Sequence, residues 1–207
     1  MSSAPDNALP DNVTLAAPIA RASVATDIAL VATFAAFIAV CTLVPGIPTG
    51  TAVPITLQTF GVILAGLVLG WRRGALAVLL YLAVGLAGVP IFAEGTGGVV
   101  VLTKASVGYL LAFPFAAALA GVFAGLALHV TSRWRYPVLA LAGIAASALT
   151  IHPAGIVGLM VRLDLTFREA LIIDLRFIPG DIIKNFAAAA VALAIFAAYP
   201  AMLRTRR

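Results

Sequence analysis

Residues 53–93 read VPITLQTFGVILAGLVLGWRRGALAVLLYLAVGLAGVPIFA, a long apolar stretch interrupted by two adjacent arginines. It contains two apolar runs, 54–71 and 74–92, which meet at Trp71, Arg72 and Arg73. A lipid bilayer has a hydrocarbon core of roughly 30 Å, which an α-helix crosses in about 20 residues. We therefore interpret the stretch as two membrane-spanning helices joined by a tight basic turn.

The remainder of the chain repeats this pattern. Four further apolar runs occupy residues 25–45, 105–129, 137–160 and 180–201. Of the 207 residues 63% are hydrophobic and 10% are charged, with a mean hydropathy of +1.13, which is far above the range of soluble domains. The sequence predicts an all-α integral membrane protein with six transmembrane helices. We expect residues 1–20 to form a flexible tail and residues 21–207 to form one substrate-binding domain.

The basic residues indicate how the chain is oriented. They lie in short clusters between apolar runs, so the net charge of +5 does not indicate a nucleic-acid surface. With a cytoplasmic amino terminus, eight arginines lie on the inner side: Arg21, Arg72, Arg73, Arg133, Arg135, Arg204, Arg206 and Arg207. Four basic residues lie in outer loops: Lys104, Arg162, Arg168 and Arg176. The excess predicts that both termini face the cytoplasm, in the inner (cytoplasmic) membrane.

Several kinds of chemistry lack sequence support. No phosphate-binding G-x-x-x-x-G-K-[ST] loop is present, so any ATP hydrolysis must come from a partner. The single Cys41 and the two widely separated histidines form no recognisable metal motif, and we predict neither a metal nor a cofactor. We interpret His152, which precedes Pro153, as a partner for backbone carbonyls that the proline frees. The sequence therefore gives little support to an enzymatic function.

The segment FIPGDIIKN, residues 177–185, places two opposite charges beside an apolar run. Ionisable groups at membrane depth are costly unless they are paired or face a cavity. In a purely structural interpretation, Asp181 caps the last helix and Lys184 is its i,i+3 neighbour. That interpretation explains the lysine poorly, so we predict that Asp181 and Lys184 bind a ligand.

Other candidate ligand-binding residues lie near the same predicted outer boundary. PITLQT contains Thr56 and Gln58, and SVGYLLAF contains Tyr109 one turn into the fourth helix. Capping and interfacial anchoring are the alternatives for these three residues. Three aromatic residues, which elsewhere usually serve packing, complete the candidate set: Tyr81, Phe92 and Phe177.

The first predicted helix carries alanines at helical spacing. Ala25 and Ala29, and Ala32 and Ala36, are four residues apart. Small residues at this spacing let a neighbouring helix approach closely. We predict that these alanines contact a partner protein, although the abundance of alanine in the chain also produces such pairs by chance.

On the stretch 53–93, the GYLLAF of 108–113 and the PGDIIK of 179–184, the chain resembles the BioY family, the biotin-specific S components of energy-coupling factor (ECF) transporters. The resemblance implies six helices with cytoplasmic termini and a biotin site near the outer face. It implies ligand binding by Asp181, Lys184, Tyr109 and the stretch 54–58, and contact between the alanines and a coupling protein. One departure is KASVGY at 104–109, where the family usually has G-P-T-G-G-Y.

The function that this resemblance implies is capture of biotin from outside the cell. Delivery inward would require an energising module of two ATPases and a transmembrane coupling protein, all embedded in or attached to the bilayer. The alternatives are an S component for another vitamin such as thiamin or riboflavin, a small intramembrane enzyme, and a structural membrane assembly protein.

Overall fold

The computed structural model describes residues 23–47, 50–127, 130–200 and 202. The predicted tail, 1–20, lies outside these residues, as do Arg21, Arg204, Arg206 and Arg207. Within the described ranges the regular secondary structure is helical, with isolated bridges between Ile47 and Ile55 and between Phe92 and Thr96. The prediction of an all-α protein is therefore confirmed.

Eight α-helices follow one another along the described chain. They are α1 (Val24–Leu43), α2 (Gln58–Leu69), α3 (Trp71–Leu86), α4 (Val107–Ala127), α5 (Ser132–Ala146), α6 (His152–Leu163), α7 (Phe167–Asp174) and α8 (Ile178–Ala198). One π-helical turn, Ser147–Ile151, joins α5 to α6 without a break, and two 3₁₀ turns, Ala93–Gly95 and Val99–Thr103, lie between α3 and α4.

Four helical segments of the described chain are long and apolar enough to cross a membrane. They are α1, α4, α8 and the continuous segment Ser132–Leu163. The predicted helices at 54–71 and 74–92 are shorter than expected, because α2 has 12 residues and α3 has 16. At 1.5 Å per residue α2 is about 18 Å long, less than the bilayer core. The boundary between the two was also misplaced, since Gly70, with φ 82°, makes the turn and Trp71 to Arg73 begin α3.

The core of the bundle is built around α4 and α2. Helix α4 packs against α2, α3, α5 and α6, and α2 is buried along most of its length. Where α4 crosses α6, a Cβ atom added to Gly108 would lie 2.1 Å from the carbonyl oxygen of Ala154 and 2.9 Å from Cα of Gly158. Glycines at this crossing let the two backbones touch, which is how membrane helices pack tightly. The start of α4 is thereby fixed against α6.

In residues 162–180 charged and apolar residues alternate, and the segment contains a short helix that is closely followed by α8. Helix α7 begins with a capping box, in which the Thr166 hydroxyl accepts from the Glu169 amide and the Glu169 carboxylate accepts from the Thr166 amide. The hydrogen bonds that the Glu169 carboxylate accepts from the Thr166 hydroxyl and the Thr166 amide hold the pKa of Glu169 below its ordinary value. Pro179 and Gly180 both lie in the first turn of α8. Proline fits there, since a first-turn N–H has no helical partner to lose.

Candidate ligand-binding site

A cavity lies where the amino-terminal ends of α2, α4 and α8 meet the loops at 52–56 and 92–106. Its enclosed volume is about 80 Å³. Seven of the eight predicted ligand residues line it: Thr56, Gln58, Phe92, Tyr109, Phe177, Asp181 and Lys184. The eighth, Tyr81, is fully buried behind the wall of the cavity, with its ring edge-on to Phe92 at 5.4 Å between centroids. The structure thus brings together residues that are more than 120 positions apart in sequence.

The ion pair between Asp181 and Lys184 forms the polar wall of the cavity. Lys184 Nζ donates to Asp181 Oδ1 at 2.7 Å, to the Thr59 hydroxyl at 2.9 Å and to the Thr56 carbonyl at 2.9 Å. The Thr59 hydroxyl in turn donates to Asp181 Oδ1 at 3.0 Å. Both charged side chains are largely buried, with exposures of 9% for Asp181 and 12% for Lys184. Since an ammonium group has three donors, Lys184 is fully satisfied by protein acceptors.

Asp181 does not occupy the N-cap position that the purely structural interpretation of the sequence assigns to it. The N-cap of α8 is Phe177, and Asp181 lies in the first turn with its backbone N–H bonded to the Phe177 carbonyl. Asp181 is therefore not the cap. Its carboxylate is instead held by a side chain one turn later and by Thr59 of α2.

Tyr109 reaches a carboxylate that the sequence analysis missed. Its hydroxyl donates to Asp174 Oδ1 at 2.9 Å, and its ring packs edge-on against Phe177 at 5.6 Å. Gly155 of α6 leaves room for the ring, because a Cβ atom at this position would lie 2.1 Å from Cε1 of Tyr109. Asp174 ends α7 and is 1% exposed. It lies behind the cavity rather than on its surface.

His152 also contacts this cluster, and its interpretation from the sequence was wrong. Its Nδ1 lies 3.0 Å and 2.9 Å from the two carboxylate oxygens of Asp174, and its Nε2 lies 3.6 Å from Asp181 Oδ2. The imidazole therefore meets carboxylates rather than freed carbonyls. The π-helical turn just before it, in which the His152 amide bonds to the Ser147 carbonyl, accommodates Pro153 and sets the direction of the side chain.

The side-chain amide nitrogen of Gln58 donates a hydrogen bond to another side chain of the protein. Gln58 Nε2 donates to the Tyr81 hydroxyl at 2.5 Å, and that hydroxyl donates to the Ile91 carbonyl at 3.0 Å. The pair ties α2 to α3 and to the loop after it. Tyr81 thus supports the position of Gln58 and Phe92 instead of forming the cavity surface.

A second ion pair lines the rim of the cavity. Lys104 Nζ lies 3.3 Å from Glu94 Oε2, with exposures of 32% and 65%. Both residues belong to the loop between α3 and α4, where they face each other across the two 3₁₀ turns. Lys104 is the first residue of KASVGY, so the unusual stretch contributes a cation to the rim.

The four alanines of α1 lie away from the cavity. Ala25, Ala29, Ala32 and Ala36 are exposed, whereas Ala35 is buried in the core. These four residues therefore do not serve the packing of the bundle. Their contact with a partner protein stays a prediction.

The fold and cavity can now be compared with known proteins. The 2.1 Å crystal structure of an S-component for biotin from an ECF-type ABC transporter superposes with a TM-score of 0.74, at 30% identity, over 84% of this chain and 95% of that one. The biotin transporter BioY of Rhizobium etli is 37% identical over 84% of this chain and 95% of its own length. The protein of the same name from Rhodobacter capsulatus is 36% identical over 87% and 98%.

The long apolar helices define the class as a multi-pass α-helical membrane protein. The family model described as BioY family matches residues 12–201. The chain belongs to the BioY family, which confirms the resemblance found in its sequence and makes it a transport component, not an enzyme.

Proposed function

We propose that this chain is a biotin-binding S component of an ECF-type transporter, and that the cavity beneath the loops is its biotin site. The observation that carries the proposal is the buried pair of Asp181 and Lys184 on the cavity wall, in a chain of the BioY family. A desolvated ion pair is costly to maintain, and a polar ligand that hydrogen-bonds to it gives a reason for its presence.

The bonds within the pair favour one role for each partner. Lys184 uses its three donors on protein acceptors, so its part is to orient Asp181 and to hold α8 against the start of α2. Asp181 Oδ1 is occupied, whereas Oδ2 lies 3.6 Å from Nε2 of His152, which is beyond a hydrogen bond. Oδ2 is therefore the acceptor for an N–H of the ureido ring of biotin. The anionic tail of biotin would then extend to the rim, where Lys104 is the more exposed cation.

The size of the cavity supports a moving lid. Ligand cavities usually measure about 300–1,000 Å³, and this one measures about 80 Å³. The α4 side is fixed by the glycine crossing with α6, so the loops at 52–56 and 92–106 are the walls that would have to move. We propose that these loops move outward when biotin enters.

The connectivity supports an orientation with the cavity outside and both termini in the cytoplasm. Helices α2, α4 and α8 begin at the cavity, so Trp71 and Trp134, which begin α3 and α5, lie at the opposite end. Both tryptophans are exposed and adjoin arginines, and the Arg72 guanidinium lies 4.8 Å from the Trp71 ring. Such aromatic and basic residues are typical of a cytoplasmic interface. We propose six crossings in the inner membrane, in which α2 and α3 form a short helical pair.

Ligand-dependent melting tests the proposed function. The purified full-length protein in lipid nanodiscs is heated with biotin, thiamin or riboflavin, at concentrations far above the expected dissociation constants. We expect biotin alone to raise the melting temperature, because a ligand that binds the folded state stabilises it by mass action. A shift with thiamin or riboflavin alone would assign the site to another vitamin. No shift with any of the three would contradict the proposal of a vitamin carrier.

A further inference from the structure

Asp174 and His152 form a buried unit behind the proposed biotin site. Asp174 on α7 accepts hydrogen bonds from Tyr109 of α4 and from His152 of α6. Neither Asp174 nor His152 lines the cavity, yet each contacts a residue that does. Three side-chain contacts therefore connect Tyr109 to Asp181 through the protein interior.

The position of the ring between two carboxylates indicates its protonation state. Nδ1 must carry a hydrogen, because it lies within 3.0 Å of both oxygens of Asp174, and an ionised carboxylate only accepts. If the imidazole were neutral, Nε2 would then present a lone pair to Asp181 Oδ2 at 3.6 Å. If it is protonated, both nitrogens carry hydrogens and the positive charge attracts both carboxylates.

The count of buried charges leads to the same conclusion. The charged groups that face the ring are Asp174 from α7 and Asp181 and Lys184 from α8, and Tyr109 from α4 adds a neutral hydroxyl. Two carboxylates and one ammonium leave one negative charge unbalanced. Buried charges are stable only when they are paired. A proton on His152 balances the cluster.

We infer that His152, in its protonated form, and Asp174 are positioning residues of the ligand site, holding Asp181 and Tyr109 in place through a proton shared within the buried cluster. This inference rests on the proposed function. It makes α7, a helix outside the cavity, part of the binding machinery. It also predicts that affinity is highest at acidic pH and decreases as the pH rises and the imidazole loses its proton.

The test measures the dissociation constant of biotin between about pH 6 and about pH 10, with the full-length protein in nanodiscs. We expect the affinity of the wild type to fall at least about tenfold across this range, because Nε2 then repels Asp181. His152→Gln should bind at every pH about as weakly as the wild type binds at the alkaline end. Asp174→Asn removes one negative charge and keeps an acceptor for Tyr109, so its affinity should vary with pH by less than about threefold.

Each outcome decides between explanations. A wild-type affinity that is constant with pH would overturn the inference and leave the biotin site intact. So would an Asp174→Asn variant with the full wild-type slope, since the titrating group would then lie elsewhere. A wild type that binds no biotin at any pH would instead contradict the proposed function. A merely structural role for His152 would lower the melting temperature of its variant without removing the slope.

Discussion

Two lysine–carboxylate pairs line the same cavity. They are chemically alike but differ in burial, in the distance between the charged atoms and in the elements that carry them. Lys184 and Asp181 lie 2.7 Å apart, one turn apart on α8, with exposures of 12% and 9%. Lys104 and Glu94 lie 3.3 Å apart on a loop, with exposures of 32% and 65%. Lys184 also donates to the Thr56 carbonyl and the Thr59 hydroxyl, on the α2 side. Within the described residues, the Lys104 side chain donates one hydrogen bond, to Glu94.

The comparison shows that burial, and not the presence of opposite charges, makes an ion pair part of a site. An exposed pair contributes about 0–1 kcal/mol, because water and salt screen it and ordering the side chains costs entropy. A buried pair cannot lose one partner without leaving the other uncompensated. Equivalent substitutions in the two pairs should therefore have very different effects on ligand affinity.

The largest effect is expected for the buried pair. Asp181→Asn and Lys184→Met should each weaken biotin binding at least about tenfold and up to about a hundredfold, because a charged hydrogen bond in a desolvated site contributes roughly 1.5–3 kcal/mol. Titration calorimetry in nanodiscs measures the change. Size-exclusion chromatography of the same samples shows whether the variants fold. Folded variants with wild-type affinity would mean that the pair only joins α8 to α2.

A smaller effect is expected for the matched substitutions at the rim. Glu94→Gln and Lys104→Met should change the dissociation constant by less than about fivefold, which is the upper end of an exposed pair's contribution. The effect should shrink further when the salt concentration is raised. A loss larger than that of Lys184→Met would reverse the comparison and make the exposed lysine the main anchor.

The smallest effect on binding is expected at Ala32 and Ala36 of α1, which do not line the cavity. Ala32→Leu and Ala36→Leu should leave the affinity for biotin unchanged and reduce biotin uptake with the energising module, because bulky side chains prevent close approach of a partner helix. Ala190→Leu, at an exposed alanine of α8, is the matched control and should leave uptake unchanged. Normal uptake in all three variants would assign the α1 alanines to lipid contact.

Asp181, Lys184 and Tyr109 of the cavity wall could be predicted from the sequence because they are marked locally. Asp181 and Lys184 stand out as charges beside an apolar run, and Tyr109 follows a glycine at the start of a helix. Asp174 has no such mark, since it lies in an amphipathic segment where charges are expected. Its partners His152 and Tyr109 are 22 and 65 residues away, and only the packing of α4, α6 and α7 brings them to it.

Helix lengths were predicted less well for a related reason. Hydropathy does not separate a helix from an apolar loop, and Val53, just before α2, is as buried as the helix itself. The single-residue turn at Gly70 depends on a positive φ angle, and the π-helical turn before His152 depends on a shift in hydrogen bonding. Neither turn changes the spacing of the apolar residues, so neither could be predicted from that spacing.

The small volume of the cavity also has a kinetic consequence. If ligand entry waits for the loops to move outward, the association rate is set by how often they open and not by diffusion alone. The same loops then delay release, so the complex is long-lived even when free ligand is scarce. A protein of this kind would retain a molecule that it meets rarely.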